Sequence, residues 1–108
     1  MQFRFVHAAD LHLDTPFSGI GAAAEPRVAE ELREASLKAF DSLVDLTIRE
    51  DAAFLLLAGD IYDGARRGLR AQMRFLAGVK RLTGRGVKVL AVHGNHDPLG
   101  GWSAVREW

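Results

Sequence analysis

The sequence predicts an α/β fold in which three parallel strands alternate with two helices. Two short apolar runs, residues 54–58 and 87–92, are each followed by glycine and polar turn residues, which is typical of buried strands. A more polar run at residues 2–6 is the expected first strand. Between these runs, apolar residues recur at three- and four-residue steps, the spacing of one helix face. The order is therefore β-α-β-α-β, and helical crossovers make the strands parallel.

The two helices are predicted from their apolar spacing and from their ends. The first begins at Pro26, because proline suits the first turn of a helix. Its apolar face comprises Val28, Leu32, Ala35, Ala39, Phe40, Leu43 and Leu46. The second ends before Gly84 and Gly86, with Lys80 and Arg81 in its last turn. Its apolar face comprises Leu69, Met73, Leu76 and Val79.

Length and composition indicate one small domain spanning residues 1–108, with 48% apolar residues. The 14 basic residues balance the 14 acidic ones, so net charge favours neither nucleic acid nor a membrane surface. The absence of cysteine excludes disulfides, Cys-ligated zinc and thiol catalysis. Because no apolar run approaches the roughly 18 residues of a membrane span, and no signal-peptide pattern is present, we expect a cytoplasmic protein with no membrane contact.

Polar side chains follow all three predicted strands, at the edge where parallel α/β sheets bind ligands. The clusters are Asp10 and His12, then residues 59–63, then residues 94–97. Manganese, iron and zinc accept their carboxylate, imidazole and amide groups. On an extended strand end, Asp10 and His12 could both face one ion, and Asp60 could bridge two. Each cluster alone also fits an ordinary turn, but three together predict metal binding.

The three clusters read Asp10-x-His12, Gly59-Asp60-x-x-Asp63 and Gly94-Asn95-His96-Asp97. In order and spacing they resemble the first three motifs of the calcineurin-like metallophosphoesterases. Residues 7–17 and 59–63 are similar to the bacterial SbcD and YhaO-type DNA repair exonucleases. The resemblance implies the N-terminal β-α-β-α-β portion of a metallophosphoesterase α/β sandwich, truncated on its C-terminal side. The family's later histidine motifs are missing, since no histidine follows His96.

The resemblance also implies a role for each metal-ligating residue of this centre. Asp10 and His12 are implied as ligands of a first divalent ion and Asn95 as a ligand of a second. Asp60 is implied as the carboxylate that bridges the two ions. Manganese is the expected metal, with iron or zinc as alternatives.

Two further residue pairs are implied to act beside the metals. His96 would be the catalytic histidine that approaches the leaving oxygen or the phosphate, and Asp63 the carboxylate that orients it. Arg66 and Arg67 follow Asp63 and could contact a DNA backbone. The remaining basic residues between Gly64 and His96 fit a solvated helix face.

The implied function is that of a metal-dependent phosphodiesterase, a DNA exonuclease or endonuclease that works in DNA repair beside an SMC-like ATPase subunit. A homodimer is also compatible with the sequence. The residues alone support only binuclear metal chemistry on a phosphate ester. Two alternatives stay open: a small-molecule or phosphoprotein phosphoesterase of the same superfamily, and a catalytically incomplete fragment.

Overall fold

The computed structural model describes residues 2–14, 26–62 and 68–92, and these ranges confirm the predicted α/β order. The elements are β1 (Phe5–Ala9), α1 (Pro26–Arg49), β2 (Phe54–Ala58), α2 (Leu69–Thr83) and β3 (Lys88–Val92). Their strands form one parallel sheet in the order β1-β2-β3. The carboxyl ends of the three strands therefore lie along one edge of the sheet.

The first strand lies three residues later than the sequence pattern predicts, at Phe5–Ala9 instead of residues 2–6. Pairing with β2 decides these bounds, because Phe5 aligns with Phe54 and Ala9 with Ala58. The two strands consequently end at the same level, and the polar residues that follow each of them start out side by side.

The hydrophobic core lies between the two helices and one face of the sheet. Alternate strand residues face this core, including the fully buried Leu55 and Leu57 of β2. Helix α1 contributes Phe40 and Val44, and α2 contributes Phe75 and Leu82. Burial of these side chains supplies the main driving force for folding, at about 25 cal/mol per Å² of apolar surface.

The buried face of α2 matches the predicted one only in part, since Leu76 and Val79 are buried as predicted but Leu69 and Met73 are not. Leu69 and Met73 are 67% and 51% exposed, whereas Phe75, Leu82 and their neighbours Ala71, Leu76 and Val79 are buried. The helix is turned this way because Gly78 faces α1. A β-carbon at Gly78 would overlap the Phe40 ring and reach within 3.0 Å of Val44, so the missing side chain lets the two helices approach closely.

The opposite face of the sheet is not covered by any described element. Phe5, Leu90 and Val92 are each about half exposed there, and the Phe5 ring stacks on Phe54 with centroids 5.0 Å apart. Among the described residues, Val28, Leu69 and Met73 of the two helices are exposed apolar side chains as well. The described helices include none with the length and apolar character of a membrane span.

Candidate metal centre

The chain leaves β1 and β2 through turns with left-handed backbone. Asp10, His12 and Asp60 have φ angles of 55°, 45° and 46°, and Gly59 has a φ of 66°. Side chains other than glycine disfavour this region, although aspartate and histidine tolerate it better than most. Three such residues within two adjacent loops indicate that the surrounding contacts hold the backbone there.

Backbone hydrogen bonds join the two loops directly. The N–H of His12 donates to the carbonyl oxygen of Asp60 at 2.9 Å, and the N–H of Leu13 donates to that of Ile61, also at 2.9 Å. Leu13 and Tyr62 then form an isolated parallel bridge. The loop that carries His12 therefore runs alongside the loop that carries Asp60.

The start of each loop is tied to the sheet. The N–H of Asp10 lies 3.3 Å from the carbonyl oxygens of both Ala58 and Gly59. The N–H of Gly59 donates to the carbonyl oxygen of Val92 at 2.7 Å, which links the end of β2 to the end of β3. The end of β3 thus lies beside the start of the β2 loop.

These turns bring three of the predicted ligands together. Asp10, His12 and Asp60 each offer one ligand atom, and the three atoms lie within 4.8 Å of one another. His12 Nε2 is 4.0 Å from Asp60 Oδ2. Asp10 is exposed and the other two side chains are partly buried, so a cation could reach them from solvent. Two carboxylates and an imidazole fit manganese, iron or zinc.

The reason given from the sequence for pairing Asp10 with His12 is wrong. Asp10 and His12 were expected to face one ion because alternate residues of an extended strand share a side. Strand β1 ends at Ala9, however, and the backbone of both Asp10 and His12 is left-handed. Two successive turns, held by the bonds to the β2 loop, produce the convergence instead.

The remaining predicted site residues lie outside the described ranges. They are the implied catalytic residues His96 and Asp63, the implied ligand Asn95, and the basic residues Arg66 and Arg67. Their roles stay predictions.

A buried carboxylate close to the site had been given no role from the sequence. The side chain of Asp14 is only 6% exposed, and Arg70 Nη2 donates to its Oδ1 at 2.5 Å. Arg33 Nε lies 3.4 Å from the same oxygen. The hydrogen bonds from Arg70 to Asp14 and then to Glu30 raise the pKa of the guanidinium. The signal in the sequence was the position of Asp14, two residues after a predicted ligand.

The arginines of α2 are paired with acidic residues of α1. Arg74 bonds to Glu34 and Asp41, and these hydrogen bonds raise its pKa. Arg81 bonds to Asp45. Lys80 and Arg81 are exposed, as the sequence pattern predicted for a solvated basic face. The guanidinium groups of Arg74 and Arg81 also bond to the neighbouring helix, which the pattern did not predict.

The sequence is similar to known phosphoesterases and nucleases. The family model for calcineurin-like phosphoesterases matches residues 3–108. The chain is 44% identical over 105 residues to the uncharacterized metallophosphoesterase YhaO of Bacillus subtilis, covering 96% of this chain and 25% of the relative. It is 32% identical over 94 residues to the DNA double-strand break repair protein Mre11 of Aeropyrum pernix, covering 87% and 21% respectively.

A third relative is a component of the nuclease SbcCD of Rhodobacter capsulatus, 32% identical over 99 residues, with 88% of this chain and 22% of the relative covered. The chain therefore spans about a quarter or less of the length of these relatives. The family match covers nearly the whole chain, and the ligand cluster lies at the edge where the sequence motifs predict it. The chain belongs to the calcineurin-like phosphoesterase family.

Proposed function

We propose that the protein is a manganese-dependent phosphodiesterase that cleaves DNA as an exonuclease or endonuclease in DNA repair. The observation that carries the proposal is the convergence of Asp10, His12 and Asp60 within 4.8 Å at the carboxyl edge of the sheet. The choice of DNA as substrate is supported by two relatives, one named as a double-strand break repair protein and one as part of a nuclease.

In this proposal the centre is binuclear. Asp10 and His12 would hold one divalent ion, Asn95 would hold a second, and the Asp60 carboxylate would serve as a ligand shared by the two. The chemistry that such ions supply is a lowered pKa of a bound water and neutralisation of phosphate charge. The left-handed turns position the three described ligands before any ion arrives, which reduces the reorganisation that binding requires.

The proposed acid–base partner is His96, with Asp63 orienting its ring. An imidazole that approaches the leaving oxygen can carry a proton there, and a carboxylate at its other nitrogen selects the tautomer that does so. Arg66 and Arg67 are proposed to contact the DNA backbone. This assignment is favoured because Arg70, Arg74 and their neighbour Arg81 on α2 already bond to acidic side chains.

The proposed partners are DNA and an SMC-like ATPase subunit. Residues 1–108 contain no nucleotide-binding loop of the Gly-x-x-x-x-Gly-Lys-Ser/Thr type. One relative is named as one subunit of a nuclease, which supports a multisubunit enzyme. Self-association into a homodimer is also proposed, and size-exclusion chromatography with light scattering tests it.

The decisive experiment compares two substrates with the longest natural form of the protein that carries residues 1–108. Manganese-dependent release of nucleotides from linear DNA is measured beside hydrolysis of p-nitrophenyl phosphate esters. We expect DNA to be the preferred substrate, and we expect Asp60→Ala or removal of manganese by chelation to abolish cleavage. Asp51→Ala, which changes an aspartate at the other edge of the sheet, serves as the control and should retain activity.

Other outcomes would replace the proposal with one of its alternatives. Preference for the nitrophenyl esters would identify a small-molecule phosphoesterase of the same family. Absence of hydrolysis of both substrates, with the protein folded and manganese present, would identify a chain that is catalytically incomplete.

A further inference from the structure

We propose that Asp14 is a positioning residue, which holds His12 in the ligand cluster through its ion pairs with Arg70 and Arg33. The inference rests on the proposed metal-dependent function and extends it to a residue outside the set of ligands. The three residues Asp14, Arg33 and Arg70 are called the Asp14 cluster below.

The Asp14 cluster connects the β1 loop to both helices. Arg70, in the first turn of α2, bonds to both carboxylate oxygens of Asp14, with Nη2 at 2.5 Å and Nε at 3.4 Å. Arg33 of α1 lies 3.4 Å from Oδ1. The backbone N–H of Asp14 donates to the Ser36 hydroxyl at 2.8 Å. One residue of the loop is therefore held by side chains of two different helices.

The short segment between Asp14 and His12 transmits this restraint. Leu13 is 1% exposed and its N–H bonds to the carbonyl oxygen of Ile61, so it has little freedom to move. Asp14, with a φ of 59°, is left-handed like His12. A backbone with alternate left-handed residues is strained and persists only where contacts on both sides define it. The β2 loop supplies these contacts on one side of His12 and the Asp14 cluster on the other.

Burial makes this ion pair different from the others on the helices. The Asp14 side chain is 6% exposed, whereas Asp45 and Arg81 are 59% and 49% exposed. A buried carboxylate that loses its partner destabilises a fold strongly, while an exposed ion pair contributes little because water screens it. The Asp14 carboxylate also approaches the start of α2, since a β-carbon at Gly68 would lie 3.5 Å from it, and negative charge is favoured at a helix N-terminus.

The experiment measures manganese affinity by isothermal titration calorimetry for the wild-type protein, Asp14→Asn and Arg70→Lys. Asparagine keeps the shape of the side chain without its charge, and lysine keeps the charge of arginine without its forked donors. We expect each variant to bind manganese about tenfold more weakly, the effect typical of residues that support metal ligands from outside. Asp45→Asn, which breaks an exposed ion pair on the same helix pair, should bind like the wild type.

A second measurement separates positioning of His12 from a general loss of structure. Circular dichroism and thermal melting establish that each variant is folded. Asp14→Asn is then combined with His12→Ala, and manganese binding to the remaining ligands is measured. If Asp14 acts through His12, the added substitution changes affinity less than about twofold. If Asp14→Asn still weakens manganese binding about tenfold in the His12→Ala protein, the proposal is wrong.

The outcomes for the two proposals are distinct. Equal manganese affinity in folded Asp14→Asn, folded Arg70→Lys and the wild type would refute positioning by Asp14 and leave the metal centre intact. Failure of the wild-type protein to bind manganese would refute the metal centre itself. If Asp14→Asn does not melt cooperatively, the folded Arg70→Lys variant decides the question by the same affinity criterion.

Discussion

Left-handed backbone occurs at both edges of the sheet, but it has a different role at each edge. At the amino edge, Asp51 and Gly86, with φ angles of 50° and 80°, lie just after α1 and α2. Each begins the return to the sheet with the hydrogen-bond pattern of a Schellman motif. At the carboxyl edge, the left-handed residues Asp10, His12 and Asp60 form the candidate metal site.

The two edges differ in whether glycine can occupy a left-handed position and so relieve the backbone strain there. At the end of α2 the position is filled by glycine, the residue that adopts this backbone without steric cost. Glycine could not replace Asp10, His12 or Asp60 without removing a ligand atom. In the proposed function, strain at the carboxyl edge is therefore retained where a ligand atom is needed, in line with the concentration of such residues at functional sites.

The largest expected effect is a loss of manganese affinity. It should distinguish two aspartates with left-handed backbone, Asp60 and Asp51. Asp60→Ala should weaken manganese affinity by about a hundredfold or more, because loss of a ligand costs more than loss of a supporting residue. Asp51→Ala changes the same residue type in the same backbone conformation and should leave affinity unchanged. Calorimetric titration measures both. Equal losses would show that left-handed aspartates affect the fold in general and that Asp60 has no special part in binding.

The second-largest effect is expected on the stability of the contact between α1 and α2. Gly78→Ala should lower the free energy of unfolding by about 1–3 kcal/mol, because the new β-carbon overlaps the buried Phe40 ring. Urea denaturation measures this change. The substitution lies away from the ligand cluster, so manganese affinity of the folded protein should be unaltered. An unchanged midpoint would mean that the helices can separate without cost.

Substitutions at the amino edge should change stability by about 1 kcal/mol with opposite signs. Gly86→Ala places a side chain at φ 80° and should destabilise the protein, although no atom lies within 4 Å to clash with it. Asp51→Gly relieves the same strain and should stabilise it by up to about 1 kcal/mol. Thermal melting of the two variants checks the signs, and destabilisation by Asp51→Gly would contradict the strain argument.

The smallest losses of stability are expected when the exposed ion pairs between α1 and α2 are broken. Arg74→Gln removes bonds to Glu34 and Asp41 from a side chain that is 31% exposed, and should cost about 0.5–1 kcal/mol. Arg81→Gln removes one bond to the exposed Asp45 and should cost less than about 0.5 kcal/mol. Chemical denaturation in low and high salt compares them. A larger loss of stability for Arg81→Gln than for Arg74→Gln would contradict the expectation that the less exposed ion pair contributes more.

The sequence by itself determined the order of the elements and the residues of the ligand cluster. Apolar runs that end at polar turns placed the three strands to within a few residues, and helical spacing placed both helices. Asp10, His12 and Asp60 could be predicted as neighbours because the carboxyl ends of parallel strands meet at one edge of a sheet. These inferences need only the local pattern and one general rule of α/β architecture.

Tertiary structure alone decided how the ligands converge and what holds them. Left-handed backbone at Asp10 and His12 depends on hydrogen bonds to a loop about fifty residues further along the chain, which local propensity does not encode. Asp14 and Arg70 are 56 residues apart in sequence, so their ion pair appears only once α2 packs beside α1. The buried face of α2 was set by the close contact at Gly78, because packing against a neighbour outweighs the apolar spacing of a single helix.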